Sequence, residues 1–229
     1  MNKSEAIYDK VQAILDRANH PNTPQAEAET ALAMAQKLMM KHGLEESAFA
    51  KAQDRNENIV TNIIEVGGKW QLRRLALAGA IAKANSVACY RSTSWKDGKK
   101  LLVLVVYGTA GDIFAVRTLF ASADLLASRV IPKGDRSFRS AWWLGFSAGV
   151  REVLTKSKNE VIAEQGVGTG LVLADKFKRA DTEMRAKVTL KSAGYSRYSS
   201  GSGYSAGRSA GLSFSSGGIG NGVAGALGR

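Results

Sequence analysis

A serine between two glycines is the first pattern in the chain that could carry out chemistry. Gly145-Phe146-Ser147-Ala148-Gly149 has the G-x-S-x-G form of a nucleophile elbow, in which a sharp strand-to-helix turn exposes a reactive serine. Hydrolases of this type need an acid and a histidine later in the chain, but His20 and His42, the two histidines present, both come earlier. Residues 137–158 also have helical spacing of apolar residues, so we expect the two glycines to allow close helix packing instead.

A glycine-rich run, Gly166-Val167-Gly168-Thr169-Gly170, resembles a phosphate-binding loop. Such loops follow a strand and open a helix. Here the apolar segment Leu171 to Leu173 predicts a strand after the loop, so we interpret the run as a connection rather than a nucleotide site.

The numbers and spacing of cysteine, histidine and aspartate residues do not predict a metal or cofactor site. One cysteine and two histidines without paired spacing do not predict a zinc site. A magnesium-dependent nuclease could use Asp97, Asp112, Asp175 or Asp181, but no spacing among them selects a site. We therefore predict no catalytic residue, no metal and no cofactor, and keep an enzyme of unrecognised type as the third hypothesis.

Cations beside aromatic residues are the broader chemical signal. They occur around Lys69-Trp70, around Trp95-Lys96 and in residues 133–143, and a dense basic run covers residues 176–191. This combination suits phosphate neutralisation together with base stacking. The residues that we predict to contact nucleic acid are Lys133, Arg136, Arg139, Lys176, Lys178, Arg179, Arg185, Lys187, Lys191, Arg197, Arg208 and Trp143. For each tryptophan taken singly, core packing is the favoured interpretation. Trp142 and Trp143 are adjacent on one predicted helix, so we do not expect both to face the core, and one of them is expected to be exposed or to lie at a protein interface.

The net charge of +12 is distributed unevenly along the chain. Residues 1–66 hold 7 Lys and Arg against 10 Asp and Glu, whereas residues 67–229 hold 25 against 10. A positive field of this kind attracts polyanions, so DNA or RNA are the predicted partners. A solvated basic surface without a partner is the alternative.

Helical patterns at the start of the chain predict how it is organised. Apolar residues recur at helical spacing over residues 5–18 and again after Thr23-Pro24 until Gly43, which predicts a helical hairpin over residues 1–44. Each apolar stripe must pack on the other or on the rest of the protein. The polar residues 45–58 predict a linker, and residues 59–187 an α+β core domain.

The core domain is predicted to hold a small, mainly antiparallel sheet packed with several helices. Strands are expected at Ile59 to Val66 and Val87 to Arg91, and the apolar run Leu101 to Tyr107 predicts a central strand covered on both faces. Asp97-Gly98 predicts a hairpin turn. Helices are expected at 70–85, 111–130 and 137–158.

Residues 188–229 differ in composition from the rest of the chain. They hold eleven glycines and ten serines without an acidic residue, which predicts a basic tail that is at most partly ordered. Arginine and tyrosine in this setting can follow a nucleic-acid strand.

The single cysteine, Cys89, has no intramolecular disulfide partner, and no signal peptide or long apolar segment is evident. These features predict a cytoplasmic protein without a membrane partner.

A family resemblance adds to this interpretation. The residues that carry it are Lys10-Val11, Ile14-Leu15, Arg17-Ala18, Pro24, Glu27-Ala28, Ala31, Ala35, Leu38-Met39 and His42-Gly43-Leu44. The hairpin resembles the N-terminal signature of domain-of-unknown-function family 2786, found in phages, prophages and bacteria. Gly108 after an apolar strand, the aromatic helix around Trp142 to Phe146, and a Tyr204, Gly207 and Gly211 ending also resemble fuller members of this family. The resemblance implies a phage or mobile-element setting and supplies no catalytic residues.

Two functional hypotheses follow from the sequence. The leading one is a nucleic-acid-binding accessory protein that contacts phosphates without sequence specificity. The alternative is an interaction factor that binds a host or virion protein through the N-terminal hairpin and exposed aromatic residues. The oligomeric state stays open.

Overall fold

The computed structural model describes residues 3–20, 23–24, 27, 30–31, 34–43, 58–96, 98–191 and 200–215. Its elements in chain order are α1 (Lys3–Asn19), α2 (the helical residues 34–43), β1 (Val60–Glu65), α3 (Gln71–Ala84), β2 (Ala88–Lys96), β3 (Lys99–Gly108), α4 (Ala110–Val130), α5 (Arg136–Gln165), α6 (Val167–Lys187) and α7 (Gly201–Leu212), with a 3-10 turn at Ser213–Ser215. The predicted α+β class is confirmed: an N-terminal helical pair precedes a small antiparallel sheet packed with helices.

The sheet has the order β1-β3-β2, with antiparallel pairing on both sides of β3. Alternate residues of β3 lie in different clusters, because successive side chains of a strand point to opposite faces. Leu104 and Val106 lie in the main core, whereas Val103, Val105 and Tyr107 lie in a second cluster that α6 completes. The predicted central strand, covered on both faces, is therefore confirmed.

The helical hairpin packs into the same core as the sheet. Val11 and Leu15 of α1 and Ala35 and Met39 of α2 are buried in the main cluster, so the predicted stripes pack on the rest of the protein. On the other side of α2, Lys37 pairs with Glu160 and Lys41 with Glu164 of α5. Almost all of the predicted linker 45–58 lies outside the described residues.

Close packing of α5 against α7 confirms the interpretation of Gly145 and Gly149. A Cβ atom at Gly145 would overlap the backbone oxygen of Tyr204, and one at Gly149 would overlap that of Arg208. Ser147 lies within the continuous helix α5, and its hydroxyl donates to the carbonyl of Trp143 at 2.9 Å. The elbow geometry is therefore not formed at this serine.

Two local predictions are wrong. Leu171 to Leu173 belong to helix α6 and not to a strand. Of the glycine-rich run, only Gly166 lies between two helices, because α6 begins at Val167. Trp142 and Trp143 are both buried, with 1% and 2% of their surface exposed. Both can be buried because α5 has neighbours on two sides, α3 and α7.

The described part of the predicted tail is a helix. Gly201–Leu212 form α7, and Phe214 after it is completely buried in the main core. The segments 192–199 and 216–229 lie outside the described residues. Among the described residues, no helix combines the length and the apolar character that crossing a membrane requires.

Candidate nucleic-acid interface

Two groups of cations that are far apart in the sequence meet where α3 and α5 begin. The guanidinium of Arg139 lies 6.0 Å from the ring centroid of Trp70. Arg73 donates from Nε to the hydroxyl of Ser140 at 3.1 Å. We call this surface the cationic corner and define it by Lys69, Trp70, Arg73, Lys133, Arg136 and Arg139.

Trp70, the residue just before α3, has an unusual backbone conformation. Trp70 has φ 62° and ψ 23°, a left-handed conformation that is unusual for a bulky residue and that costs about 1–3 kcal/mol. Its carbonyl accepts the backbone N–H groups of Arg73 and Arg74, both at 2.9 Å. The turn thus fixes Trp70 beside the first residues of α3.

Arg74 follows Arg73 in α3 but, unlike the cations of the corner, it forms an ion pair among the described residues. Arg74 donates from Nε to Asp124 at 2.6 Å and from Nη2 to the other oxygen of the same carboxylate, and these hydrogen bonds raise the pKa of Arg74. Burial instead lowers the pKa of Arg73. An anion bound next to Arg73 would offset that desolvation.

The five cations of the corner make no ion pair with any residue that the structure describes. Lys69, Lys133 and Arg136 are exposed, whereas Arg73 and Arg139 are half-buried. The Nε atom of Arg139 is buried and has no hydrogen-bond partner among the described residues. The exposed charges of Lys69, Lys133 and Arg136 therefore give the corner a positive surface that attracts anions.

The helix ends add to this field. The first turns of α3 and α5 contain no acidic residue, and the N-terminus of a helix carries a partial positive charge that favours anions. Asp135 caps α5 by accepting the N–H of Phe138 at 2.7 Å. The Asp135 carboxylate offsets part of the field at the start of α5, whereas α3 has no side-chain cap.

The basic run of α6 has a different environment. Arg185 pairs with Asp181 at 2.6 Å and Lys187 with Glu183 at 2.8 Å, each one turn away on the same helix. Lys187 also lies 5.9 Å from the ring centroid of Tyr107. Acidic neighbours on α6 therefore offset much of the charge that the sequence assigns to this run.

The other predicted contact residues are distributed over the molecule. Lys178 and Lys191 are exposed without an ion pair among the described residues, and Arg179 is half-buried. Arg208 pairs with Glu152 at 2.7 Å. Trp143 is buried in the core, and Arg197 lies outside the described residues.

Lys176 belongs to a buried centre and not to the surface. Its side chain is 4% exposed, and its Nζ lies 2.8 Å from Asp112 Oδ2, which also accepts from the Thr109 hydroxyl at 2.7 Å. A Cβ atom at Gly43 would lie 3.4 Å from Asp112 Oδ1, so the end of α2 packs directly on this pair. Burial lowers the pKa of Lys158, and the charge of Asp112 partly offsets this. The centre joins α2, α4 and α6.

No group of three or more His, Cys, Asp or Glu side chains that could hold a metal ion occurs in the part of the chain that the structure describes.

The sequence identified both halves of the corner as cation and aromatic clusters. Lys69, Trp70 and Arg73 were nevertheless missing from the predicted contact set. The contacts of Trp70 with Arg139 and of Arg73 with Ser140 are not visible in the sequence, because they depend on the packing of α3 on α5. The Gly67-Gly68 pair before Lys69-Trp70 is the one local signal of an unusual turn.

Comparison with known proteins gives one match. Residues 6–46 match the model of a family described as "Protein of unknown function (DUF2786)". No curated protein and no solved structure matches the chain. The matched segment covers most of α1 and all of α2. Gly43, the last residue of α2, packs on the pair of Asp112 and Lys176. Residues 6–46 of this chain are therefore similar to that family of unknown function.

Proposed function

We propose that this protein is a nucleic-acid-binding accessory protein that holds phosphates at the cationic corner. The observation that carries the proposal is the pair of contacts where α3 and α5 begin, Arg139 with Trp70 and Arg73 with Ser140. Lys69, Lys133 and Arg136 are exposed and lie close to these residues in the chain, and none of the five cations has an ion pair among the described residues. Arginine, lysine and helix N-termini are the groups that contact phosphate oxygens in such complexes.

The proposed binding does not depend on base sequence. Contacts to phosphates position a protein on nucleic acid but carry no direct sequence information. Such contacts release counterions, so the affinity falls steeply as the salt concentration rises. The setting in a phage or mobile element is part of the proposal and is supported by the family resemblance alone.

Fluorescence anisotropy of the nuclease-treated full-length protein tests the proposal. The probes are labelled single-stranded and double-stranded DNA and RNA of one sequence, each titrated across a salt series. We expect micromolar or tighter binding at low salt, with a log-log salt slope of about 0.7–0.9 per neutralised phosphate. Absence of binding to all four probes at low salt would contradict the proposal.

A protein partner bound through the hairpin is the alternative. The structure restricts the surface available for it, because Val11, Leu15 and Met39 are buried in the core. Such a partner would have to contact the exposed face of α1 or α2, which includes Met34 with 60% of its surface exposed. Capture of a defined protein from host lysate after nuclease treatment, abolished by charge changes on that face, would favour this alternative.

A further inference from the structure

Trp95 has an environment unlike that of the two core tryptophans. It is 70% exposed near the end of β2, whereas Trp142 and Trp143 are buried in α5. Its cross-strand partner in the register is Lys100 of β3. Arg91, four residues earlier on β2, points to the same face, since side chains alternate along a strand.

These three residues lie on the face of the sheet that carries α3. Cys89, which alternates with Arg91 and Trp95, packs against α3, where its Sγ lies 3.8 Å from the position of a Cβ atom at Gly79. The β-hairpin formed by β2 and β3 is longer than β1. The last residue of β1, Glu65, pairs with Val103, whereas β2 and β3 stay paired as far as Lys96 and Lys99. The end of the β-hairpin that carries Trp95 and Lys100 therefore extends beyond β1. The chain passes from Glu65 directly into the cationic corner at Lys69 and Trp70.

The chemistry of this surface distinguishes between forms of nucleic acid. Arg91 and Lys100 are exposed and make no ion pair with the described part of the chain. An indole ring offers a stacking surface for a base, and such stacking contributes to affinity in single-strand complexes whichever base is present. The bases of a duplex already stack on one another, so their flat faces are not available to Trp95.

We infer that Trp95 stacks on an unpaired base, with Arg91 and Lys100 on the neighbouring phosphates, so that the ligand of the cationic corner is single-stranded nucleic acid. This inference rests on the proposed function and specifies its substrate class. Along β2, Arg91 and Trp95 are about 13 Å apart at ~3.3 Å per residue, which gives a linear track for a single strand.

The test compares three variants of the full-length protein on a labelled single strand and on its duplex. Trp95→Ala removes the stacking surface and Trp95→Phe keeps an aromatic ring. Leu171→Ala is the matched control, because Leu171 is 71% exposed and lies on α6. We expect Trp95→Ala to weaken single-strand binding by about tenfold. Trp95→Phe should retain most of the affinity, and Leu171→Ala should bind like the wild type.

The outcomes separate this inference from the proposed function. Wild-type protein that binds the single strand more tightly than the duplex, with a loss confined to the single strand in Trp95→Ala, supports the inference. Unchanged affinities in Trp95→Ala overturn it and leave the proposed function intact; this is also the result expected if Trp95 is an anchor for a protein partner. Equal losses on both probes overturn the preference for single strands. Wild-type protein that binds neither probe overturns the proposed function itself.

Discussion

Backbone atoms of α7 and α5 come into contact at glycine positions that have no space for a side chain. A Cβ atom would overlap the backbone oxygen of Phe138 at Gly203, of Trp142 at Gly207 and of Phe146 at Gly211. The four-residue spacing places these glycines on one face of α7. A segment rich in glycine and serine thereby forms a helix, because tertiary packing offsets the low helix propensity of glycine.

Gly207→Ala is expected to lower the free energy of unfolding by about 1–3 kcal/mol, because the new methyl group forces α7 away from α5. Gly201→Ala is the matched control on the same helix, since a Cβ atom there meets nothing within 4 Å. The control should be neutral or stabilising by up to about 1 kcal/mol. Urea denaturation measures both, and equal stabilities of the two variants would contradict the packing described for α7.

Cys89 gives a second prediction at the residue scale. Burial raises the pKa of its thiol from 9.0 to about 11, and the nearby charge of Lys83 offsets only part of this. At pH 8 the thiolate fraction should be roughly 100-fold smaller than in the unfolded chain. Because a thiolate of higher pKa is more nucleophilic, alkylation by iodoacetamide should be slower by about tenfold or more. Rates in buffer and in urea that differ by less than threefold would contradict this.

The raised pKa of Cys89 also makes the free energy of unfolding depend on pH. The folded state keeps the Cys89 proton to a higher pH than the unfolded state does. The contribution of Cys89 to the free energy of unfolding is therefore complete below about pH 9 and is lost as the pH rises toward about 11.

Sequence patterns predicted the behaviour of single residues where the reason was local. Gly145 and Gly149 were expected to allow close packing, and they do so. Their partner, α7, could not be predicted, because its composition is equally typical of a linker. The burial of both Trp142 and Trp143 was missed for the same reason, since helical periodicity does not reveal a second neighbour for α5.

At the scale of elements, the buried pair of Lys176 and Asp112 connects α6 to α4. The pair lies beside Gly43, near the end of the segment that matches the family model. An unpaired charge at such a place is costly, whereas removing both charges together is often tolerated. We therefore expect the role of the pair to be structural in this protein.

Lys176→Met is expected to lower the free energy of unfolding by about 3 kcal/mol, because it leaves Asp112 without its ammonium partner. The double change with Asp112→Asn should be less destabilising than the sum of the two single changes, because the two side chains interact. Lys158, which is also close to the charge of Asp112, loses that interaction whenever Asp112 is changed. Lys178→Met, an exposed position on the same helix, should change stability by less than about 0.5 kcal/mol. A double variant that is as unstable as the sum of both single variants would show that the two side chains do not interact.

The elements themselves were predictable to different degrees. The strand Leu101 to Tyr107 was recognisable as central because it is apolar at successive positions, and β3 has that place. Leu171 to Leu173 have the same local character, yet they continue α6. A short apolar run fits a strand or a helix equally well, and the turns before and after it decide the outcome.

At the scale of the whole molecule, the cations of the basic part of the chain differ in how far acidic neighbours offset their charge. On α6, Arg185 and Lys187 have acidic partners one turn away, whereas the cations of the corner have no ion pair among the described residues. These charges can be counted in the sequence. Which of them are offset by an acidic partner cannot be predicted from it, because ion pairing depends on the fold. The proposed binding of phosphates at the corner, rather than on α6, depends on this difference.

The most direct test of that difference compares two charge-matched double variants. Lys133→Gln with Arg136→Gln removes two exposed charges from the corner, and Arg185→Gln with Lys187→Gln removes two from α6. Anisotropy titration on a labelled single strand should show that the corner variant binds at least about tenfold more weakly, with a salt slope smaller by about 1.4. The α6 variant should stay within about threefold of the wild type at an unchanged slope. Equal losses in both variants, or a larger loss from α6, would contradict the cationic corner as the binding surface.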